Sequence, residues 1–270
     1  MGEVEKIKTF RSVVWRYWEE NGRHDLPWRK TKDPYRILVS EMMLQQTQVP
    51  RVIEKYKEFL KRFPTVHALA RASLADVLKV WSGLGYNRRG KYLHDAAKAF
   101  VRDHKRPYLS DAVVLDKYKG IGPYTTSAVR VFAYNEPDIL IETNIRAAYI
   151  CHFFSDIPII LDREILEYAE RAAKGQDPRK WHWALMDYGA HLKRSGVRNN
   201  SRSAHYTKQS KFEGSLRQVR GAILRLLYKG SSNLTSRPGL DVSKASIDKA
   251  LAGLARDGLI MKEKGKWRIA

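Results

Sequence analysis

Apolar residues return every three to four positions along most of this chain, and strict apolar–polar alternation is scarce. The spacing predicts helices over roughly 4–21, 35–46, 50–62, 66–71, 73–80, 86–104, 110–116, 123–134, 143–154, 162–173 and 178–192. Gly, Pro, Asn and Asp turns separate these short segments. The pattern describes an all-α globular domain without internal repeats. Further on, Ser215–Tyr228 is amphipathic through Val219, Ile223, Leu226 and Leu227, and a Ser/Gly/Pro-rich connection follows it. Ser243–Asp257 is a second amphipathic helix, and Leu259–Ile269 reads as a hairpin turning at Lys264-Gly265. Helix, loop, helix and hairpin suggest a small winged-helix-like module. Its use is packing or, equally, contact with a polyanion backbone. Between the two parts, residues 193–211 carry Lys193, Arg194, Arg198, Arg202, Lys208 and Lys211 and no acid. The expected division is a domain at 1–192, a basic linker at 193–213 and the module at 214–270.

Charge changes the picture most. The 270 residues hold 50 Lys and Arg against 29 Asp and Glu, a formal net charge of +21. With seven Trp and 43% hydrophobic residues the chain is folded, not a basic tail. A folded domain this basic usually meets nucleic acid. A membrane surface fits less well, because the charge is spread along the chain and no apolar run of about 18 residues exists. Met-Gly-Glu-Val-Glu-Lys at the start lacks a signal peptide's apolar core. The single cysteine, Cys151, excludes an internal disulfide, a cysteine zinc site and a 4Fe-4S cluster. The expected location is cytoplasmic, associated with the nucleoid.

Candidate chemistry comes from a few residues. Gly120 and Gly122 bracket one apolar residue between two helical segments, so the backbone can approach a ligand where the next helix offers unpaired N–H groups. Alone, such a turn is more often an ordinary helical hairpin. Glu41 sits in Ile37-Leu-Val-Ser-Glu-Met-Met-Leu44, among apolar neighbours that desolvate it and raise a carboxyl pKa toward that of a general acid. Its bland reading is a solvated helix face. Glu142 follows Ile139-Leu-Ile141; its bland role is a first-turn acid answering the helix dipole, with Thr143 or Asn144 sharing the cap. One protonated and one ionised carboxyl are what cleavage of a glycosidic bond needs. Gln45-Gln46-Thr47-Gln48 is either surface polarity or a set of groups that reach base edges. Tyr86, after Gly83-Leu84-Gly85, is either core or a wedge that fills a vacated base stack, with Arg88, Arg89, Lys91, Arg29 and Lys30 on phosphates.

Taken together, Leu26-Pro-Trp-Arg29, Pro34-Tyr35, Ser40-Glu-Met-Met-Leu-Gln-Gln-Thr-Gln-Val49, Gly83-Leu-Gly-Tyr86, Gly120-Ile-Gly122 and Met186-Asp-Tyr-Gly-Ala190 resemble the helix-hairpin-helix DNA glycosylase superfamily, most closely its MutY adenine glycosylase branch. The resemblance implies a two-lobed glycosylase fold, followed here by the winged-helix-like module. It implies that Glu41 protonates the departing purine and that Glu142 stands for the aspartate that stabilises the sugar cation. It places Trp28, Arg29, Leu44, Gln46, Thr47, Trp183 and Asp187 around the flipped base or its orphaned partner, and Tyr86 as the intercalating wedge. Backbone contacts fall to Gly120, Gly122, Thr125, Arg88 and Arg89, with a monovalent cation possible at the carbonyls of Lys119 and Ile121. Tyr124 stands where bifunctional relatives carry the Schiff-base lysine, so base removal without strand cleavage is expected. The implied partner is double-stranded DNA with a mispaired or damaged base, bound by a monomer.

Four departures from the family pattern stand out. Glu142 is one methylene longer than the usual Asp. The four cluster cysteines are absent. Trp183 replaces a base-facing Gln. The C-terminal domain that reads 8-oxoguanine is not matched. The reading is a monofunctional enzyme acting on adenine opposite 8-oxoguanine or guanine. The alternatives are a mismatch thymine or uracil glycosylase of the same superfamily, some of which also carry a Tyr at the hairpin, and a catalytically impaired DNA-binding protein.

Overall fold

The computed structural model describes residues 2–103, 112–155, 157–197, 199–208, 211–230 and 242–270. Twelve α-helices and one small hairpin are found among them: α1 Glu3–Asn21, α2 Pro34–Leu44, α3 Val49–Arg62, α4 Val66–Arg71, α5 Leu74–Trp81, α6 Arg88–Asp103, α7 Pro123–Val129, α8 Thr143–Phe153, α9 Asp162–Ala173, α10 Pro178–Arg194, α11 Leu216–Tyr228, α12 Lys244–Arg256, β1 Ile260–Glu263 and β2 Lys266–Ile269. The expected helix at 110–116 lies partly outside the described residues; a 3₁₀ turn spans Ala112–Lys117. The connection between α11 and α12 is also largely outside them. No described helix is long and apolar enough to cross a membrane.

The chain forms two compact units, Met1–Ile37 with Pro123–Lys208, and Leu38–Gly122 with Gln209–Ala270. In the first, Phe10 packs within 6.0 Å of Tyr149, Phe153 and Trp181, drawing α1, α8 and α10 around an aromatic core. Gly189 lets α10 close on α8: a Cβ there would lie 1.9 Å from Asn144 O. Arg202 and Ser203, in the stretch read as linker, are docked in this unit. Arg202 Nε donates to Ile157 O at 2.9 Å, and Ser203 forms a parallel bridge with Ile160.

In the second unit, Leu78 shares one buried core with Val219, Ile223, Leu224, Ile247, Leu251, Leu254, Leu259 and Ile260. The helix–helix–hairpin module is therefore built into this unit through α5. Ser215 and Ser243 cap its two helices through their side chains. The β1–β2 ladder pairs Ile260 with Ile269 and Glu263 with Lys266. It turns at Lys264 and Gly265, whose φ values of 46° and 79° suit a two-residue hairpin turn.

One helix ends earlier than its periodicity predicts. α7 stops at Val129 and continues as a π turn over Arg130–Tyr134, closed by Asn135 in the left-handed region. Arg179 satisfies the freed carbonyls, donating to Phe132 O at 2.7 Å and Ala133 O at 2.9 Å.

Candidate active site

The second unit carries Glu41. Asp33 Oδ1 accepts from the backbone N–H of Tyr35 at 2.9 Å, which together with Pro34 starts α2. The helix then buries Ile37, Leu38, Val39, Met42 and Met43, and Glu41 between them is 8% exposed. At the far end, α2 leaves carbonyls without helical donors. Arg89 fills that gap: Nη1 donates to Met42 O at 2.9 Å and Met43 O at 3.1 Å, and also to Gln45 O. Its other nitrogen, Nη2, donates to Thr47 Oγ1 at 2.9 Å, Gly85 O at 3.2 Å and Leu84 O at 3.3 Å. One guanidinium thus staples the loop after α2 to the loop before α6. Both loops hold a non-glycine residue in the left-handed region, Gln46 at φ 56° and Tyr86 at φ 46°. Burial brings the Arg89 pKa down to about 10. Both Nη atoms of Arg89, expected to contact phosphate, donate to the protein's own carbonyls and to the Thr47 hydroxyl. Its neighbour Arg88 is exposed and meets Asp257 at 3.4 Å. Gln46 is exposed and Leu44 half-buried.

The two glycines of the hairpin differ in what the fold demands of them. Gly120 has φ 89°, and a Cβ would strike the Tyr92 ring at 2.2 Å, so the fold itself requires glycine. Gly122 is exposed, and a Cβ there would meet nothing within 4 Å. Lys119 is exposed, Ile121 and Thr125 are buried, and Tyr124 is half-buried in the first turn of α7.

The first unit carries Glu142, which is itself the N-cap of α8. Its Oε1 accepts from Asn144 N at 2.8 Å and Ile145 N at 2.9 Å, and Oε2 from Asn144 Nδ2 at 3.3 Å. The carboxylate is thereby folded back onto its own helix. Burial pushes its pKa up, against the pull of those donors and of Arg146. Arg146 is fixed by a bidentate pair with Asp162, at 2.6 and 2.7 Å, and Asp162 followed by Glu142 raises its pKa against desolvation. Sequence reasoning missed Arg146 and Asp162; the first-turn position of Arg146, four residues after Glu142, was the available signal. Gly189→Ala should push α10 off Asn144 and disturb this cap, costing about 1–3 kcal/mol, read as a lower urea midpoint.

His182 holds the segment entering the cap. Its Nδ1 donates to Pro178 O at 2.7 Å, while Nε2 accepts from Leu140 N at 3.1 Å, so the ring must be neutral. Burial lowers its pKa to about 4. The unfolded chain takes up this proton near pH 6.5, whereas the native protein resists until about pH 4. That stability is whole above pH 6.5 and is lost as pH falls, by about 2 kcal/mol at pH 5. Buried His94 and half-buried His152, with pKa values lowered by desolvation, act in the same direction. Urea titrations of His182→Asn at pH 7.5 and 5 should show that much less acid destabilisation than the parent.

Other expected base contacts pair with one another. Asp187, 2% exposed, accepts from Arg29 Nη1 at 2.7 Å and Nη2 at 2.9 Å, and from Arg23 N at 2.8 Å. Burial alone would raise its pKa; Arg29 and Arg23 hold it below the usual value. Arg29 and Asp187, expected around the base, form a buried ion pair joining the Pro27–Arg29 turn to α10, with Arg23 as the partner the sequence did not reveal. Trp28 is buried in the same turn. Trp183 is half-buried, stacked on Phe132 at 5.8 Å with the Arg29 guanidinium 5.4 Å from its ring.

Among the described residues no cluster of three or more His, Cys, Asp or Glu side chains is arranged to hold a metal. Cys151, the one cysteine of the 270 residues, is half-buried beside Asn199 and Arg202, so the residues present do not fit a four-thiolate cluster.

A family model described as HhH-GPD superfamily base excision DNA repair protein matches residues 39–174. The chain belongs to this superfamily. The matched stretch of this HhH-GPD protein contains Glu41, Tyr86, Gly120, Tyr124 and Glu142. The adenine DNA glycosylase of Mycobacterium tuberculosis is 34% identical to it, over 91% of this chain and 88% of that protein. That of Mycolicibacterium smegmatis is 34% identical over 90% of each. Shares this high leave out too few residues to exclude the whole C-terminal module from the match. A thermostable thymine-DNA glycosylase, 24% identical with a TM-score of 0.60 over 69% of this chain and 87% of its own, shares the fold. So does a trapped endonuclease III–DNA intermediate, 16% identical with a TM-score of 0.54 over 78% of this chain and 92% of its own.

Proposed function

We propose that this chain is a monofunctional DNA glycosylase that removes adenine mispaired with 8-oxoguanine or guanine. The observation that carries it is Glu41, a carboxyl buried on the apolar face of α2 inside the family match, with relatives of that name aligned over nine-tenths of the chain. In this role the Glu41 carboxyl delivers a proton to the leaving purine as the glycosidic bond breaks. Glu142, fixed at the α8 N-terminus and backed by Arg146, serves as the second carboxyl, stabilising positive charge on the sugar and orienting water. Tyr124 supplies a phenol and no amine, so no imine with the sugar forms there. Gly122, which the protein's own packing does not require, leaves backbone open to a phosphate. Gln46 and Tyr86, presented in strained loops stapled by Arg89, face the base pair: Tyr86 as the wedge, Gln46 as an edge reader.

The test is single-turnover base release from duplexes with A:8-oxoguanine, A:G, A:C, T:G and U:G, each read with and without alkali. Release from the adenine mispairs, with strand cuts only after alkali, is the expected outcome. Release confined to T:G or U:G overturns the base assignment, and cuts without alkali overturn the monofunctional one.

A further inference from the structure

On the reading of Tyr86 as the wedge, we propose that Arg217, on the first helix of the C-terminal module, is its positioning residue. Arg217 Nη1 donates to the Tyr86 hydroxyl, and its guanidinium carbon lies 5.3 Å from the centre of the ring. Arg89 sits at the same 5.3 Å distance from the ring. The ring of a residue held at φ 46° is thus gripped by one arginine from α6, the helix that follows it, and one from α11.

The grip is built from rigid parts. Arg217 is the second residue of α11, whose first turn is fixed by the Ser215 cap. The helix is anchored through Val219, Ile223 and Leu224 in the core that includes Leu78 of α5. Two further ties bind the module to the first turn of α6, directly after Tyr86. Asp257, at the end of α12, accepts from Arg220 and from Arg88, two residues beyond Tyr86. Gly258 packs against Lys91, where a Cβ would lie 3.1 Å from Cε. Tyr86, Arg88 and Lys91 are each met by a different part of the module. Arg217 therefore sets where the phenol stands before a duplex arrives, and the module acts in unstacking the base pair as well as in affinity.

The full-length protein tests this with an A:8-oxoguanine duplex carrying 2-aminopurine beside the adenine, whose fluorescence reports unstacking independently of bond cleavage. Arg217→Ala should reduce the unstacking signal and single-turnover release by about five- to tenfold at saturating protein, with an unchanged melting temperature. Arg217→Lys should recover part of the loss. Tyr86→Phe should share the defect, and Tyr86→Phe/Arg217→Ala should be no worse than Arg217→Ala alone. Multiplying losses in that pair, with weaker binding, make Arg217 an independent phosphate contact and overturn the proposal. Unstacking by the parent and by Arg217→Ala alike also overturns it, leaving the wedge in place if Tyr86→Ala is inactive. No unstacking by the parent, or full unstacking by Tyr86→Ala, removes the wedge reading and the proposal with it.

Discussion

Exchanging Glu41 for glutamine is expected to cut single-turnover base release by about 10²- to 10⁴-fold while leaving duplex binding in place. Glutamine matches glutamate in size and keeps two polar atoms, so α2 can pack Ile37, Met42 and Met43 as before. What disappears is the transferable proton. A departing adenine anion is a poor leaving group, and a positioned acid is what lowers that barrier. The competing idea, a DNA-binding protein that has lost catalysis, gives Glu41 no chemical task and predicts identical behaviour of parent and variant. Retained release in Glu41→Gln at neutral pH would remove Glu41 as the acid. A release rate that falls together with the melting temperature would instead assign it to packing.

Much of the fold was legible because helix period and capping are local. Ser73, Ser215 and Ser243 cap α5, α11 and α12 at the residues where the apolar periodicity begins. The end of α7 was not legible, since nothing in Arg130–Tyr134 breaks the helical pattern; the π turn depends on Arg179, which lies 46 and 47 residues from the carbonyls it satisfies. The burial of Glu41 and the loop position of Tyr86 were readable from their apolar and glycine-rich settings. Arg29 with Asp187 was not, because the partners are 158 residues apart in sequence. Charge was legible in sum and misleading in detail. Arg11 donates to Arg171 O, Ala172 O and Lys174 O at the end of α9, Arg179 serves the π turn, and Arg202 serves Phe154 O and Ile157 O beyond α8. Each is a cation at the carbonyl end of a helix, where the macrodipole favours it. The +21 surplus therefore counts structural caps along with groups free to meet phosphate.

Arg89 is the sharpest case, and replacing it should have the largest effect on stability. Arg88 and Arg89 are adjacent in sequence, yet neighbours on a helix point about 100° apart, so one is exposed and the other sealed inside. Removing the buried guanidinium in Arg89→Leu takes a donor from five backbone carbonyls and from the Thr47 hydroxyl. Gly85 O keeps Trp81 Nε1, and Leu84 O and Gln45 O keep the Thr47 hydroxyl, so the loss falls chiefly on Met42 O and Met43 O at the end of α2. Each buried polar group left without a partner costs about 1–3 kcal/mol, softened where a loop can open to water. The expected loss is about 3–5 kcal/mol, enough to lower Tm by roughly 10 °C in a protein of this size. Arg89→Lys should rescue little, because one ammonium cannot reach the end of α2 and the Leu84–Gly85 carbonyls together. Function should suffer beyond stability. With the staple gone, the loops carrying Gln46 and Tyr86 are released from their left-handed conformations, and base unstacking should fall even well below the lowered Tm. Wild-type Tm and unstacking in Arg89→Lys would mean that charge alone suffices at this site. A normal Tm with uniformly weaker, less salt-sensitive DNA binding would return Arg89 to the phosphate contacts.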